Sequence, residues 1–69
     1  MKKLGQRVTI KNEMGVMTEF IGARGSIIDS EQDGRTTMYR VRFDSPVIVQ
    51  GLDPVTDDLF AGRYLRNVR

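Results

Sequence analysis

The chain contains no cysteine, no histidine and no tryptophan among its 69 residues. Without cysteine there is neither a disulfide framework nor a thiolate metal site. Without histidine, the commonest general base and the commonest zinc ligand are both missing. No apolar run nears the roughly 20 residues that a membrane-spanning helix needs. The opening Met1-Lys2-Lys3-Leu4-Gly5-Gln6-Arg7 has a basic tip with no apolar stretch behind it, so a signal peptide is not expected. These absences predict a cytoplasmic protein. A chain this short buries only about 60% of its unfolded surface. Such a core has to be compact, as in a closed barrel, or be extended across a partner or a second copy.

Charge of either sign is also in short excess. Eleven Lys and Arg face nine Asp and Glu, a formal balance of +2. This is a mixed surface rather than a polycation. Eight of the eleven cations are arginine, which suits planar contacts to phosphate or carboxylate.

What is present is alternation. Arg7-Val8-Thr9-Ile10 changes face at every residue, so residues 6–11 are predicted as a first strand. Residues 12–21 follow neither a strand nor a helix period and read as a long, partly apolar loop. Residues 25–30 are predicted as a second strand with Ile27 inward and Ile28 facing the other way. Ser30 to Arg35 reads as a polar turn in which Asp33-Gly34 supplies the positive φ of a hairpin reversal. Thr37 to Asp44 alternates throughout, with Tyr39, Val41 and Phe43 on a buried face and Met38, Arg40 and Arg42 on a wet one. Ser45-Pro46 is expected to break that strand, because proline donates nothing to a ladder. Val47-Ile48-Val49-Gln50 is expected as a fourth strand. Thr56 or Asp57 is expected to cap a helical turn through Leu59 and Phe60 that Gly62 releases. Tyr64 to Val68 completes the sheet as a fifth strand. The whole chain, 1–69, is expected to be one all-β domain.

Between the first two strands lies Gly22-Ala23-Arg24-Gly25-Ser26-Ile27. Two glycines three apart at a strand entrance require a sharp bend or a close approach of another segment. Five short strands, a long first loop, a tight hairpin and one helical turn before the last strand resemble a five-stranded SH3-like small barrel. The step from Gly5 through Val8 and Ile10 to Gly22-x-x-Gly25-x-Ile27 looks like the KOW-type motif of ribosomal proteins and transcription elongation factors, over roughly the first 30 residues. In that family the segment before the glycines is shorter and basic; here it is long, carries Glu13 and Glu19, and holds Met14, Val16 and Met17. The layout is also similar to small phage- and plasmid-borne accessory proteins. A plasmid-encoded type of dihydrofolate reductase builds its site from four such barrels around a Val-Gln-Ile-Tyr strand. Val47-Ile48-Val49-Gln50-Gly51 lacks the tyrosine, so that activity is not carried over.

Two surfaces are candidates for function. Met14, Val16, Met17 and Phe20 form an apolar loop that either docks a protein partner or a second copy, or folds over one open end of the barrel. Lys11, Arg24, Arg40 and Arg42 are the candidate nucleic-acid contacts, a basic stripe able to follow a phosphate backbone. The alternative for Arg40 and Arg42 is pairing with Asp29 or Glu31 across the hairpin. Among the aromatic residues only Phe20 and Tyr64 are expected as exposed rings. Asp53, Asp57 and Asp58 match no calcium loop and read as turn and cap residues. No hydroxyl or carboxylate has a partner base. The expectation is a non-enzymatic adaptor acting through protein contacts, with a nucleic-acid-binding accessory domain as the alternative. Catalytic residues, cofactor and metal are not expected.

Overall fold

The computed structural model describes residues 2–68 as five antiparallel strands in a single sheet: β1 (Arg7–Ile10), β2 (Arg24–Asp33), β3 (Thr36–Val47), β4 (Val55–Ala61) and β5 (Leu65–Asn67). The strand order is β4-β3-β2-β1-β5, so the first and last strands of the chain lie side by side. Short 3₁₀ turns at Thr18–Phe20 and Gly62–Tyr64 stand before β2 and β5.

β1 is short, and its neighbours hold it on both sides. Arg7 pairs with Ser26 and Thr9 with Arg24, while Thr9 and Ile10 face Arg66 and Leu65 of β5. Beyond the ladders, the Lys11 N–H donates to the Tyr64 carbonyl at 2.8 Å and the Val68 N–H to the Arg7 carbonyl at 2.9 Å. The alternation does the rest. Val8, Ile10, Ile27, Tyr39, Val41, Phe43, Phe60 and Leu65 point to one side and form the core, joined by Phe20 and Val49 from loops. Among the described residues no charged or amide side chain is buried, and the one polar atom that a core side chain carries, the Tyr39 hydroxyl, accepts the Lys2 N–H at 3.3 Å.

The two glycines of the bend act differently. Gly22 has a φ of +83°, a conformation side-chain-bearing residues rarely adopt, and its N–H donates to the Ile10 carbonyl at 2.9 Å. Gly25 has an ordinary φ but lies against β3, where a Cβ would strike the Arg42 carbonyl oxygen and come within 2.8 Å of Val41 Cγ1. One glycine makes the turn and the other permits the close approach.

Three expectations from the sequence are corrected. The hairpin turn is only Gly34-Arg35; Ser30 to Asp33 belong to β2 and pair with Thr36 to Tyr39. Of the two turn residues only Gly34 has positive φ, at +61°, which fits a two-residue type II′ turn. Thr37 Oγ1 donates to Gln32 Oε1 at 2.8 Å beside it, so polar cross-strand contacts extend an arm that a polar run had suggested was loop. Second, Pro46 does not end β3. Pairing with β2 stops at Phe43, and pairing with β4 is interrupted between Arg42 and Val47, so Pro46 lies where no ladder bond is needed. Val47 is then the last residue of β3, and 48–50 are not a strand. Third, Thr56 to Phe60 is β4, not a helical turn. Arg40 faces Leu59 and Tyr39 faces Phe60, and this pairing overrides the local capping preference of Thr56 and Asp57. The helical turn before the last strand exists, moved to Gly62–Tyr64.

Candidate functional site

The long first loop is fixed by one ring. Phe20, expected as an exposed ring and a partner contact, is 5% exposed. It stacks on Phe43 at 5.6 Å between centroids and meets Phe60 edge-on at 5.7 Å. A small core with three phenylalanines gains more by sharing them than by exposing one, since such ring pairs add about 0.5–1.5 kcal/mol each beyond area burial. The loop therefore does fold over the sheet at Phe20. Its other apolar residues stay accessible: Met14 is 97% exposed, Met17 is 49% exposed and Val16 is half-buried against the core.

Between this loop and the far strand runs a cleft of about 190 Å³. Val16, Met17 and Phe20 form one wall, and Leu59, Phe60 and Tyr64 the other. The polar elements are few. The Asp58 carboxylate is half-buried, directly across from fully buried Val41, and its Oδ1 accepts the Leu59 N–H at 2.7 Å. Arg63 lies over the Tyr64 ring with its guanidinium carbon 4.7 Å from the centroid and donates to the Tyr64 hydroxyl at 3.1 Å. The cleft can accept an apolar side chain and offers a carboxylate and a phenol at its border. Sequence reasoning found its loop wall and missed the β4 wall. The signal was there: read as a strand, 55–61 puts Asp58 and Phe60 on one face.

The basic candidates do not form one stripe. Lys11 lies 4.0 Å from Glu13, in the loop after β1. Arg40 is held by Asp57 of β4, Nη1 to Oδ1 2.7 Å, and not by Asp29 or Glu31. Arg24 and Arg42 are exposed and have no ion-pair partner among the described residues. A residue outside the candidate set joins them: Arg66 of β5 stands opposite Thr9, whose other neighbour is Arg24. Asp57 is thus a strand residue in an ion pair, where a turn role was expected.

Arg7 is taken by Asp44. Its guanidinium engages both carboxylate oxygens, and Nη1 also donates to Ser26 Oγ at 2.9 Å. The hydrogen bonds from Arg7 hold the Asp44 carboxyl below its ordinary value of 3.8; partial desolvation opposes this, and the charges of Arg7 and Arg24 add to it. A carboxyl with a depressed folded pKa contributes stability that is present above 3.8 and is lost as pH falls through the folded value. Asp44→Asn should therefore flatten the acid limb of a stability-against-pH curve by slightly lowering stability above that limb, the variant and the wild type converging as pH falls. Both side chains are about half exposed, so high salt should erase the same difference. An acid limb unchanged by the substitution would show that the pair contributes nothing.

Among the described residues no group of three or more acidic side chains is placed to hold a metal ion, and no helix is long and apolar enough to cross a membrane. Comparisons with protein-family models, with curated proteins and with solved structures each return no match to this chain. What the fold and surface define is a small all-β domain with an apolar cleft and an arginine-bearing sheet face.

Proposed function

We propose that this is a small non-enzymatic binding module of SH3-like barrel type, engaging a protein partner through the cleft between its long first loop and β4. The strand order, with β5 beside β1 and a 3₁₀ turn before β5, supports the barrel reading. The KOW-like Gly22–Ile27 step then serves as the bend. The observation that carries the function is the cleft itself, apolar on both walls and lined on its loop side by half-exposed Met17. Unbranched methionine adapts to irregular partner surfaces, and Met17 is not part of the core cluster. Met17→Asp, at a half-exposed loop position, should preserve the circular dichroism spectrum. It should also abolish retention of whatever protein the wild-type chain captures from an extract of its source. A partner retained equally by both proteins would place binding elsewhere.

The lesser reading is a nucleic-acid-binding accessory domain. Arg24 and Arg42 support it, since both are exposed on one sheet face with no ion-pair partner among the described residues; Lys11 and Arg40, each already paired, add little. It requires binding that falls steeply with salt and weakens further on Arg24→Ala with Arg42→Ala.

A further inference from the structure

The outer face of the sheet is divided by charge along β2. Residues directly opposite in a ladder share a face. With Val8 and Phe43 in the core, the outward positions near the start of β2 are Arg24 and Ser26, with Thr9 and Arg66 beside the first and Arg7 and Arg42 beside the second. The register shifts between Ile27 and Asp29, which absorbs Ile28. From there Asp29 faces Arg40, Glu31 faces Met38 and Asp33 faces Thr36, so three carboxylates continue on the outward face. Arg7 and Arg40 are neutralised by Asp44 and Asp57. What remains is a cationic end, Arg24, Arg42 and Arg66, and an anionic end, Asp29, Glu31 and Asp33. None of the six has an ion-pair partner among the described residues. Arg35, at the hairpin tip, is the cation nearest the anionic end in sequence.

Arg24 and Glu31 are seven residues apart on one strand, which at roughly 3.3 Å per residue separates them by about 20 Å. This exceeds two screening lengths of roughly 8 Å at physiological ionic strength, so the far members of the two ends do not neutralise each other within one molecule, and the nearer pair, Arg42 and Asp29, makes no ion pair among the described residues. A second copy turned by a twofold axis through the middle of the face brings each cationic end over the other's anionic end. A surface carrying both charges in this order is self-complementary, as an isologous contact requires. A nucleic acid meets the same face less well, because the three carboxylates repel the phosphate backbone just beyond the arginines.

We propose that the outer sheet face is a self-association surface whose occupant is a second, antiparallel copy of this chain, paired through Arg24, Arg42 and Arg66 against Asp29, Glu31 and Asp33. The contact is electrostatic and weak, and it leaves the cleft free for another partner. Sedimentation equilibrium at low salt, about 20 mM, against about 500 mM tests it. The wild-type chain should dimerise at low salt and lose at least tenfold in affinity at high salt. Arg24→Glu with Arg42→Glu makes both ends anionic; Glu31→Lys with Asp33→Lys makes both ends cationic. Each variant alone should be monomeric, and an equimolar mixture should form a heterodimer. All four positions are exposed, so folding should be retained; Arg24→Gln with Arg42→Gln, which only neutralises, should weaken the dimer by a smaller factor. A wild-type chain monomeric at low salt overturns the proposal, as does a dimer indifferent to both reversals. A monomer that instead shifts a single-stranded oligonucleotide, and loses the shift on Arg24→Glu with Arg42→Glu, assigns the face to nucleic acid.

Discussion

Gly25→Ala should lower the melting temperature by more than 10 °C, the largest effect expected of any one-carbon change in the chain. A Cβ at this position meets the carbonyl oxygen of Arg42 and the Cγ1 of Val41. The first is backbone inside the β2–β3 ladder, and the second belongs to a side chain with no exposed surface. Neither can rotate away. Relief requires β2 and β3 to separate where Gly25 pairs with Phe43, at the centre of the sheet. Overpacking of this kind costs about 1–3 kcal/mol and occasionally more, and the absence of a yielding neighbour puts Gly25→Ala at about 3 kcal/mol. For a domain of this size each kcal/mol moves the midpoint by about 4–8 °C. Gly22→Ala provides the internal comparison. Its Cβ meets nothing within 4 Å, so only the positive φ is penalised, at about 1 kcal/mol. A thermal melt in which Gly22→Ala is the more damaging of the two would reverse the roles given to these glycines.

This difference marks the limit of what the sequence discloses. That Gly22-x-x-Gly25 makes a bend is legible from the residues alone, because glycine has few other reasons to recur at a strand entrance. Which glycine turns and which makes room is not legible, since the second role depends on the neighbouring strand. The same division runs through the fold. The alternation of Tyr39, Val41 and Phe43 is local and gives their shared face correctly. Thr56 to Phe60 carries a local cap signal and a strand pattern together, and only the pairing with β3 decides between them. Pro46 misleads for a related reason. A proline ends a strand only where its missing N–H is needed, and at Pro46 neither neighbouring ladder reaches it. On the surface, Arg40 and Arg42 were legible as outward neighbours. That Asp57 takes one and leaves the other follows from the β3–β4 register, which no single strand encodes. Met14 and Met17 were legible as an apolar loop; the opposite wall of the cleft required β4 to be known as a strand.

Phe20→Ala should cost about 3–5 kcal/mol, the range for emptying a buried aromatic site. The residue belongs to a loop, where truncation is ordinarily tolerated, so the size of the effect discriminates between a solvated loop and a core element. Three observations place Phe20 in the second group: its near-complete burial, its stacking on Phe43 with an interplanar angle of 18°, and its edge contact with Phe60 at 81°. Phe43 and Phe60 meet each other at 6.1 Å, so removal of Phe20 strips one partner from each of the remaining rings. In a small domain with about 5 kcal/mol of total stability, this loss leaves the folded state barely populated. Phe20→Leu keeps most of the volume and should remain folded, at a cost nearer 1–2 kcal/mol. That variant separates stability from function. Phe20 holds the 3₁₀ turn Thr18–Phe20 against the sheet, and Val16 and Met17, immediately before it, form the loop wall of the cleft. Phe20→Leu should therefore raise hydrogen exchange at the amides of residues 14–21 while β1 and β3 stay protected, and weaken partner retention without unfolding the domain. Urea melts followed by circular dichroism supply the stability readings. A midpoint for Phe20→Ala within error of the wild type would mean that the loop closes without its ring, and that the cleft is not held in shape by the core.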